Sequence, residues 1–386
     1  MAKIGEWSGN EYSEMLLPSD TNKKLTDFCN GHKSIYIFGA GKIGNGMKHY
    51  LEQSGYEITG FVTSDSFENF KKIYKQGETG IVIGISDKYF EEVMPLIKSL
   101  VYSDDLFLSE SHYRENIGSR FSVDHVKENL MLSFLLVSHC NLNCKSCRAF
   151  SPICRPDFYK YSEFEKDIEQ LKKLNLPLKA LQFSGGEPLL HPNLFDVFKK
   201  ARELFPDIVL RCLTNGTLLD RLNDEQMETL VELDVVMSIT KYPIGNKAVE
   251  SFCLNADKIG AKYNIVDYGE SKVFIVDKLV LSGDAPKYDF YNCFCNHAKA
   301  CLLLLLLGRI YNCTAALHIP YFNERFNTDF KISDRDYIDI YNTTPEEIYQ
   351  FKIMRKPFCG YHNSANRSLI EWGISERKIE EWVHFE

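Results

Sequence analysis

The sequence predicts an α/β protein: a partial (β/α)6 TIM-like barrel with a cysteine-rich C-terminal extension and a small N-terminal Rossmann-like βαβ domain. Strand and helix patterns alternate from residue 131 onward in repeats of about 25–30 residues, which is typical of a parallel sheet with right-handed crossovers. Near the N-terminus, the glycines Gly39, Gly41 and Gly44 follow an apolar strand in G-x-G-x-x-G spacing. Most of the twelve cysteines form two groups, one in the middle of the chain and one in its C-terminal part.

These patterns divide the chain into segments. Its 386 residues are enough for two or three domains. Between the first glycine-rich unit and the barrel, the sequence turns polar and loses its periodicity, which predicts an irregular linker. The predicted segments are a lead-in over 1–30, a Rossmann-like domain of the nucleotide-binding type over 31–115, a linker over 116–129, the partial barrel over 130–282 and the extension over 283–386.

Composition and charge argue against several classes of function. The chain is 44% hydrophobic, with a net charge of −8 and a pI near 5.8, which disfavours nucleic acid and anionic membranes as partners. The first residues lack the apolar core of a signal peptide. The apolar run Cys301–Leu307 is too short to cross a bilayer and predicts a buried strand. Cysteine-rich chains without a secretion signal are expected in the reducing cytoplasm, where clustered cysteines bind metals or catalyse reactions.

The middle group of cysteines has the spacing of a metal-binding loop. Cys140, Cys144 and Cys147 form a C-x3-C-x2-C pattern directly after an apolar strand. A [4Fe–4S] cluster usually has four cysteine ligands, so three close cysteines predict a cluster with one iron open to a chelating ligand. Cys154 lies too far along the chain to be a natural fourth ligand. Structural zinc is the alternative, but it takes four protein ligands, usually from paired C-x2-C units.

Further motifs stand at the C-terminal ends of the next predicted strands, where a barrel of this kind has its site. Gly185, Gly186 and Glu187 open a Gly-Gly-Glu-Pro turn. Two glycines let the backbone approach a ligand closely, and the carboxylate of Glu187 can meet a positive group. Asn215 follows the next strand and offers an amide, and Ser238 is the corresponding polar residue one strand further on.

On the cysteine loop and the Gly-Gly-Glu-Pro turn, the chain resembles the radical S-adenosylmethionine (radical SAM) superfamily. The resemblance implies a [4Fe–4S] cluster held by Cys140, Cys144 and Cys147, with S-adenosylmethionine as the second cofactor. The amino and carboxylate groups of S-adenosylmethionine would chelate the open iron. One-electron cleavage of this cofactor would give a 5′-deoxyadenosyl radical that takes hydrogen from a substrate.

The resemblance also implies the cofactor-binding residues. Gly185, Gly186 and Glu187 would bind the methionine amino group, while Asn215 and Ser238 would lie along the ribose and carboxylate.

In one position the sequence departs from the family pattern. Many members have an aromatic residue before the third cysteine, near the adenine, whereas this chain has Ser146. The adenine must then stack elsewhere, and Phe150 is the candidate.

The second group of cysteines has the pattern of a ligand-bearing hairpin followed by a knuckle. Cys295, Cys301 and Cys313 flank a predicted hairpin that turns at Gly308. Further on, Cys359-Gly360-Tyr361-His362 has the shape of a C-x2-C knuckle with histidine in the last position. Imidazole replaces thiolate in some iron–sulfur centres, so this histidine is either a ligand or a surface residue beside the site.

This region resembles the twitch or SPASM extension of radical SAM enzymes, which carries an auxiliary iron–sulfur cluster. The resemblance implies one auxiliary cluster with Cys295, Cys301, Cys313 and Cys359 as ligands. A structural zinc ion is the alternative for the same set of thiolates.

The N-terminal glycine loop has two interpretations. It follows a strand, opens a helix and precedes an acidic residue, Asp65, by about 20 positions, as in dinucleotide-binding units. It therefore predicts either a site for a nucleotide or nucleotide-sugar or a Rossmann-like docking module without a ligand.

The leading functional hypothesis is a radical SAM oxidoreductase acting on a small polar substrate, such as a sugar or nucleotide-sugar, with a flavodoxin or ferredoxin as reductant. The auxiliary cluster would accept the electron left on the substrate radical. Two alternatives remain open: a radical SAM maturase of ribosomal peptides, and a non-catalytic iron–sulfur or zinc scaffold.

Overall fold

The computed structural model describes residues 19–267, 273–276, 278–281, 301–362 and 368–385. The predicted ligand Cys295 and most of the lead-in lie outside these residues.

The N-terminal unit is a four-stranded parallel sheet with helices between its strands. Its elements are α1 Ser19–Gly31, β1 Ser34–Phe38, α2 Lys42–Gln53, β2 Ile58–Val62, α3 Phe67–Phe70, β3 Thr79–Ile83, α4 Phe90–Lys98 and β4 Leu106–Phe107. The strand order β2-β1-β3-β4 places the glycine loop after β1, where the chain crosses from one side of the sheet to the other. This arrangement has the topology of a Rossmann-like unit.

Two glycines of this loop are required by close backbone contacts. Gly39 has a φ of +106°, a left-handed conformation that favours glycine. A Cβ at Gly44 would lie 1.8 Å from the carbonyl oxygen of Gly39, so a larger residue would push helix α2 away from the strand. The side chain of Lys42, which follows the loop, pairs with Glu128.

The predicted irregular linker is instead helical. Residues Ser111–Arg120 form α5 and Val123–Asn129 form α6. Helix α5 packs on α2 where Gly46 meets Gly118, since a Cβ at Gly46 would lie only 2.2 Å from the Gly118 carbonyl oxygen. The prediction was wrong because α5 has no clear apolar stripe along its sequence, and its stability comes from this tertiary contact.

The larger unit is an eight-stranded sheet in the order β14-β13-β12-β5-β6-β7-β8-β9. Its strands are β5 Met131–Val137, β6 Ala180–Gly185, β7 Val209–Thr214, β8 Val235–Lys241, β9 Tyr263–Asp267, β12 Leu302–Leu306, β13 Arg309–Tyr311 and β14 Tyr337–Asp339. Helices cover the sheet between strands, namely α7 Tyr161–Leu174, α8 Leu194–Leu204, α9 Asp224–Glu232 and α10 Asn246–Ile259. Strands β12 and β5 to β9 are parallel, so the predicted α/β fold class is confirmed.

Successive side chains along each strand point to opposite faces of the sheet, and this alternation determines which of them face the helices. Leu132, Phe134 and Leu136 of β5 are fully buried in the main core, between the sheet and the helices. The intervening Ser133 lies on the opposite face, where its Oγ is 2.7 Å from the Oγ of Ser184. The face away from the helices therefore carries these serines beside an apolar cluster of Leu135 and Leu304.

The sixth parallel strand comes from an unexpected part of the chain. After β9 come two short strands, β10 Val273–Val276 and β11 Leu279–Leu281, which pair with β15 Ser368–Glu371 and β16 Val383–Phe385 and not with the parallel sheet. The sixth strand is instead β12, from the cysteine-rich extension, which pairs with β5. The predicted β12–β13 hairpin is present and turns at Gly308, whose φ is +74°.

The remaining C-terminal residues form two further helices and contribute to a second core. Helix α11 Thr314–Phe326 follows β13, and α12 Pro345–Ile353 follows β14. Phe322 of α11 is fully buried in a second core, together with Phe358 and Trp382. Among the described residues, the helices are all too short or too polar to cross a membrane.

Candidate functional site

The three-cysteine loop lies directly after β5, at the C-terminal end of the parallel strands. Asn215 Nδ2 and the Leu142 amide both donate to Cys140 Sγ, at 3.4 and 3.5 Å. Trp372 Nε1 donates to Cys144 Sγ at 3.2 Å. Hydrogen bonds to sulfur stabilise thiolates and tune cluster potentials, so both cysteines have partners suited to cluster ligands.

The pKa of Cys140 is raised to about 11 and that of Cys144 to about 12, mainly by burial, with smaller contributions from the neighbouring thiols and, for Cys140, from Glu187. The thiols thus interact electrostatically and stay protonated until a cation binds, because a metal deprotonates its thiol ligands. In the described part of the chain, no three His, Cys, Asp or Glu side chains converge as a preformed metal site. The donors fit an iron–sulfur cluster by type and by hydrogen bonding, and the thiol side chains must turn to hold one.

The Gly-Gly-Glu-Pro turn packs directly on the start of the cysteine loop. The Gly186 amide donates to the Val137 carbonyl oxygen at 2.6 Å, and the Glu187 amide donates to that of His139 at 3.1 Å. A Cβ at Gly186 would lie 1.8 Å from the His139 carbonyl oxygen, and Gly185 has a φ of +133°. Both glycines are therefore needed to join the turn to the cysteine loop, a role additional to any contact with a ligand.

We predict that Gly186→Ala weakens cluster binding, because the new Cβ displaces the backbone that leads into Cys140. Overpacking of this kind costs about 1–3 kcal/mol. Iron content after anaerobic reconstitution and the free energy of unfolding should both fall. Gly41→Ala is the matched control, since a Cβ there meets open space. Equal iron content in the two variants would contradict the prediction.

Glu187 is fully buried and joins two strand ends. Its carboxylate accepts hydrogen bonds from Thr214 Oγ1 at 2.7 Å, from the Asn215 amide at 2.8 Å and from the Leu189 amide at 3.1 Å. Burial raises its pKa, and the backbone and hydroxyl donors oppose that rise. The carboxylate thus holds the Gly-Gly-Glu-Pro turn against the end of β7.

Asn215 connects this end of β7 to the cysteine loop. Its Nδ2 also donates to Asn141 Oδ1 at 2.9 Å, and its Oδ1 accepts from the Thr217 amide at 2.9 Å. Ser238 lies apart from this group, within β8, where its Oγ donates to Asn264 Oδ1 at 2.7 Å. The structure therefore brings Glu187 and Asn215 to the cysteine loop and places Ser238 on the polar face of the sheet.

A C-terminal segment, residues 372–382, covers the cysteine loop. Cys144 forms a β-bridge with Ile374, and the Lys145 amide donates to the Gly373 carbonyl oxygen at 2.8 Å. On the other side, Trp382 Nε1 donates to the Cys147 carbonyl oxygen at 2.9 Å. Sequence reasoning missed this contact, because no local pattern links a loop to a segment 228 positions away.

Ser146, at the position where the family resemblance implies an aromatic residue, contacts the C-terminal segment. Its Oγ donates to the Glu381 carbonyl oxygen at 2.8 Å, which anchors the C-terminal segment. Phe150, the candidate for adenine stacking, is buried against Phe322 and Trp382 at centroid distances of 5.0 and 6.2 Å. That candidate role was wrong, because the Phe150 ring belongs to the second core and is not open to a ligand.

The described cysteines of the extension separate into two places. Cys313 Sγ lies 3.7 Å from His362 Nε2, and the His362 amide donates to the Cys359 carbonyl oxygen at 3.1 Å. Cys301 is instead fully buried in the main core, with its Sγ 3.8 Å from the carbonyl oxygen of His125. The structure thus brings the His362 side chain to Cys313, joins its backbone to that of Cys359, and does not bring Cys301 there.

His318 of α11 is a buried histidine that the sequence analysis missed. Within the described part of the chain, neither of its ring nitrogens has a hydrogen-bond partner. Burial lowers the pKa of its imidazole to about 4, so the folded protein holds this ring neutral. A single histidine within an otherwise apolar stretch of helix was the available signal.

We predict that stability falls in acid because of His318. In the folded protein the pKa of His318 lies below the ordinary value. Its contribution to the free energy of unfolding is therefore complete above about pH 6.5 and is lost as pH falls toward 4. Between pH 7.5 and 4.5 this loss is about 2–3 kcal/mol. His318→Leu should lose less stability over that range in urea unfolding, whereas His384→Leu, at an exposed histidine, should match the parent. Identical loss of stability in acid for all three proteins would contradict the assignment of this loss to His318.

Comparisons with known proteins agree with this site. Residues 135–250 match the family model described as the radical SAM superfamily. A GTP 3′,8-cyclase of Chlorobaculum tepidum is 33% identical over 112 residues, which are 29% of this chain and 30% of that protein. A pre-heme d1 synthase of Dinoroseobacter shibae is 39% identical over 83 residues, covering 21% and 20% of the two chains.

Among solved structures, BtrN in complex with AdoMet and 2-DOIA is 19% identical and aligns over 60% of this chain and 92% of its own, with a TM-score of 0.40. The alignments with curated relatives cover only between 20% and 43% of those proteins. The segment matched by the family model carries the cysteine loop and the strand ends around it. Residues 135–250 of this chain are therefore a radical SAM domain.

Proposed function

We propose that the protein is a radical SAM oxidoreductase that removes hydrogen from a small polar substrate. The observation that carries the proposal is the hydrogen-bonded connection of three motifs at one end of the sheet. Glu187 joins its turn to the end of β7, and Asn215 joins that end to Cys140. A purely structural metal centre needs three or four ligands but has no need of a buried carboxylate that fixes two neighbouring strand ends.

The thiols of Cys140, Cys144 and Cys147 would hold a [4Fe–4S] cluster, and Gly185, Gly186, Glu187, Asn215 and Ser238 would hold or position S-adenosylmethionine. When bound, these cofactors supply one-electron cleavage of a sulfonium and a carbon radical that takes hydrogen from the substrate.

The protein's own residues supply position, hydrogen bonds and exclusion of water. Asn215 and Trp372 donate to two of the ligand sulfurs. The C-terminal segment contacts the loop at Cys144, Lys145 and Cys147.

The polar face of the sheet supports a small polar substrate. Ser133 and Ser184 form one hydroxyl pair on this face, and Ser238 with Asn264 forms a second polar pair. Arg211 has a partly buried guanidinium whose Nε has no partner in the described part of the chain, and burial lowers its pKa. Such groups bind hydroxyl, phosphate or carboxylate substituents, so a sugar or sugar phosphate is the substrate class we propose.

The N-terminal unit bears on the choice between small-molecule and peptide substrates. It is a parallel α/β unit with tightly packed Gly39 and Gly44, whereas a peptide maturase would be expected to have a winged-helix element there. We therefore propose that the substrate is a small molecule, with or without a nucleotide group. We propose a flavodoxin or ferredoxin as the electron donor. An auxiliary cluster in the extension would accept the electron left on the substrate.

Anaerobic reconstitution with iron and sulfide, followed by S-adenosylmethionine and dithionite, tests the proposal. We expect 5′-deoxyadenosine and methionine in equal amounts, and more of both when the correct substrate is added. Failure to release 5′-deoxyadenosine from protein with iron at the three-cysteine loop would overturn the enzymatic assignment.

A further inference from the structure

We infer that His362 is an iron ligand of the auxiliary cluster, together with Cys313 and Cys359, and that Cys301 is not. The inference rests on the auxiliary cluster of the proposed function and specifies which side chains bind it. It also gives this cluster mixed nitrogen and sulfur ligation.

The position of His362 follows from the short helical turn before it. Cys359 lies within the 3-10 helix Pro357–Tyr361, and His362 is the next residue after that helix. The His362 amide donates to the Cys359 carbonyl oxygen at 3.1 Å, which closes the turn that holds both side chains. A β-bridge to Leu279 fixes the histidine backbone from the other side. His362 is therefore a half-buried residue with a fixed backbone, unlike a mobile surface histidine.

The imidazole of His362 is directed at Cys313. Its Nε2 lies 3.7 Å from Cys313 Sγ, and its ring packs at 5.8 Å from the ring of Phe358. Cys313 immediately precedes α11, at the end of the β12–β13 hairpin. Two ligands of one iron atom lie about 3–4 Å apart, given bonds near 2.0–2.3 Å from metal to nitrogen or sulfur. The pair thus has the separation of two protein ligands on one iron, as in a [2Fe–2S] centre. In the described part of the chain no third side chain completes this site, so the thiol of Cys359 must turn to join it.

Cys301 occupies a different environment. It precedes β12 and packs with Leu303 and Leu305 in the main core, where all three side chains are at most 1% exposed. Protein cores are close-packed, with few voids larger than a water molecule. An iron–sulfur cluster at Cys301 would have to displace these leucines, whereas Cys313 and His362 lie at the half-buried edge of the second core.

Histidine ligation has a consequence for electron transfer. A neutral imidazole brings one negative charge fewer than a thiolate, so the cluster accepts an electron more readily. Iron–sulfur centres with histidine ligands have higher reduction potentials than those with cysteine alone. This property suits a cluster whose role is to take an electron from a substrate radical.

The test uses the full chain with Cys140, Cys144 and Cys147 replaced by alanine, so that any remaining iron belongs to the auxiliary site. This parent is compared with versions that also carry His362→Cys, His362→Ala or Cys301→Ala. Iron and sulfide content, the reduction potential and pulsed EPR of the reduced cluster are measured, with histidine labelled by ¹⁵N. Thermal unfolding reports whether each variant folds.

We expect nitrogen coupling that changes with the label in the parent and disappears in His362→Cys. That variant should keep its iron and show a lower reduction potential. His362→Ala should lose at least half of the iron, and Cys301→Ala should lose none.

A parent without nitrogen coupling, or a Cys301→Ala variant that folds but loses iron while His362→Ala keeps it, would overturn the inference. A parent that binds zinc in place of iron would also overturn it. Cleavage of S-adenosylmethionine by the unmodified protein is measured separately. Absence of this cleavage would contradict the proposed function, and it would leave the assignment of His362 as an iron ligand unchanged.

Discussion

Replacement of Cys140, Cys144 and Cys147 together by alanine is expected to abolish release of 5′-deoxyadenosine. In the proposed function these three thiols hold the cluster, and cleavage of S-adenosylmethionine needs the electron that the cluster delivers. The expected loss is at least about 10³-fold, comparable to removal of a nucleophile from a catalytic unit. Product formation after anaerobic reconstitution, measured by chromatography, gives the result.

Cys154→Ala is the matched control for this experiment. Its thiol is buried close to the loop and donates to the Ala149 carbonyl oxygen, so its removal tests for a fourth ligand. We expect full iron content and full cleavage activity in Cys154→Ala. Retained activity in the triple variant, or an inactive and iron-poor Cys154→Ala variant, would contradict the proposed ligand set.

Replacement of Glu187 is expected to have the second-largest effect. Glu187→Ala leaves three buried donors, on Leu189, Thr214 and Asn215, without their acceptor. Each unsatisfied buried donor costs about 1–3 kcal/mol, so the free energy of unfolding should fall by about 3 kcal/mol or more. Glu187→Gln keeps the shape but replaces one acceptor oxygen with a donor, so it should retain the fold.

The Glu187→Gln variant therefore separates stability from cofactor binding. We expect its KM for S-adenosylmethionine to rise about tenfold or more, because about 1.4 kcal/mol of lost binding corresponds to that factor. Glu232→Gln, an exposed carboxylate at the end of α9, is the control and should behave as the unmodified protein does. If both the KM and the free energy of unfolding were unchanged in Glu187→Gln, the connection between the strand ends would be unimportant for cofactor binding and for stability.

The sequence predicts those features of the site that depend on local order along the chain. Each motif follows its strand directly, so Cys140, Gly185 and Asn215 necessarily reach the same end of a parallel sheet. The buried strand in the leucine-rich run and the turn at Gly308 are likewise local signals, and both are confirmed.

Contacts between distant segments could not be predicted in the same way. Pairing of β12 with β5 joins residues about 170 positions apart, and nothing in either strand specifies its neighbour. Cys301 and Cys313 both flank the predicted hairpin, yet one is a core residue and the other contacts His362. Burial, which the spacing of cysteines does not reveal, separates them.

The hydrogen bond from Trp372 to Cys144 could not be predicted from the sequence for the same reason. Its indole reaches Cys144 across 228 positions, and only the folded chain brings them together. Side-chain donors to a ligand sulfur leave no spacing pattern, because they need only proximity in space.

Coverage of the cysteine loop by residues 372–382 also bears on the order of events during synthesis. A ribosome that adds about 5–20 residues per second needs roughly 10–45 s to pass from the loop to Trp372. During that interval the nascent loop lacks the indole hydrogen bond and the bridge at Ile374. Its thiols are then accessible to cluster-delivery proteins and to oxygen alike. The folding of residues 372–382, rather than that of the parallel sheet, therefore ends the period in which these thiols are uncovered.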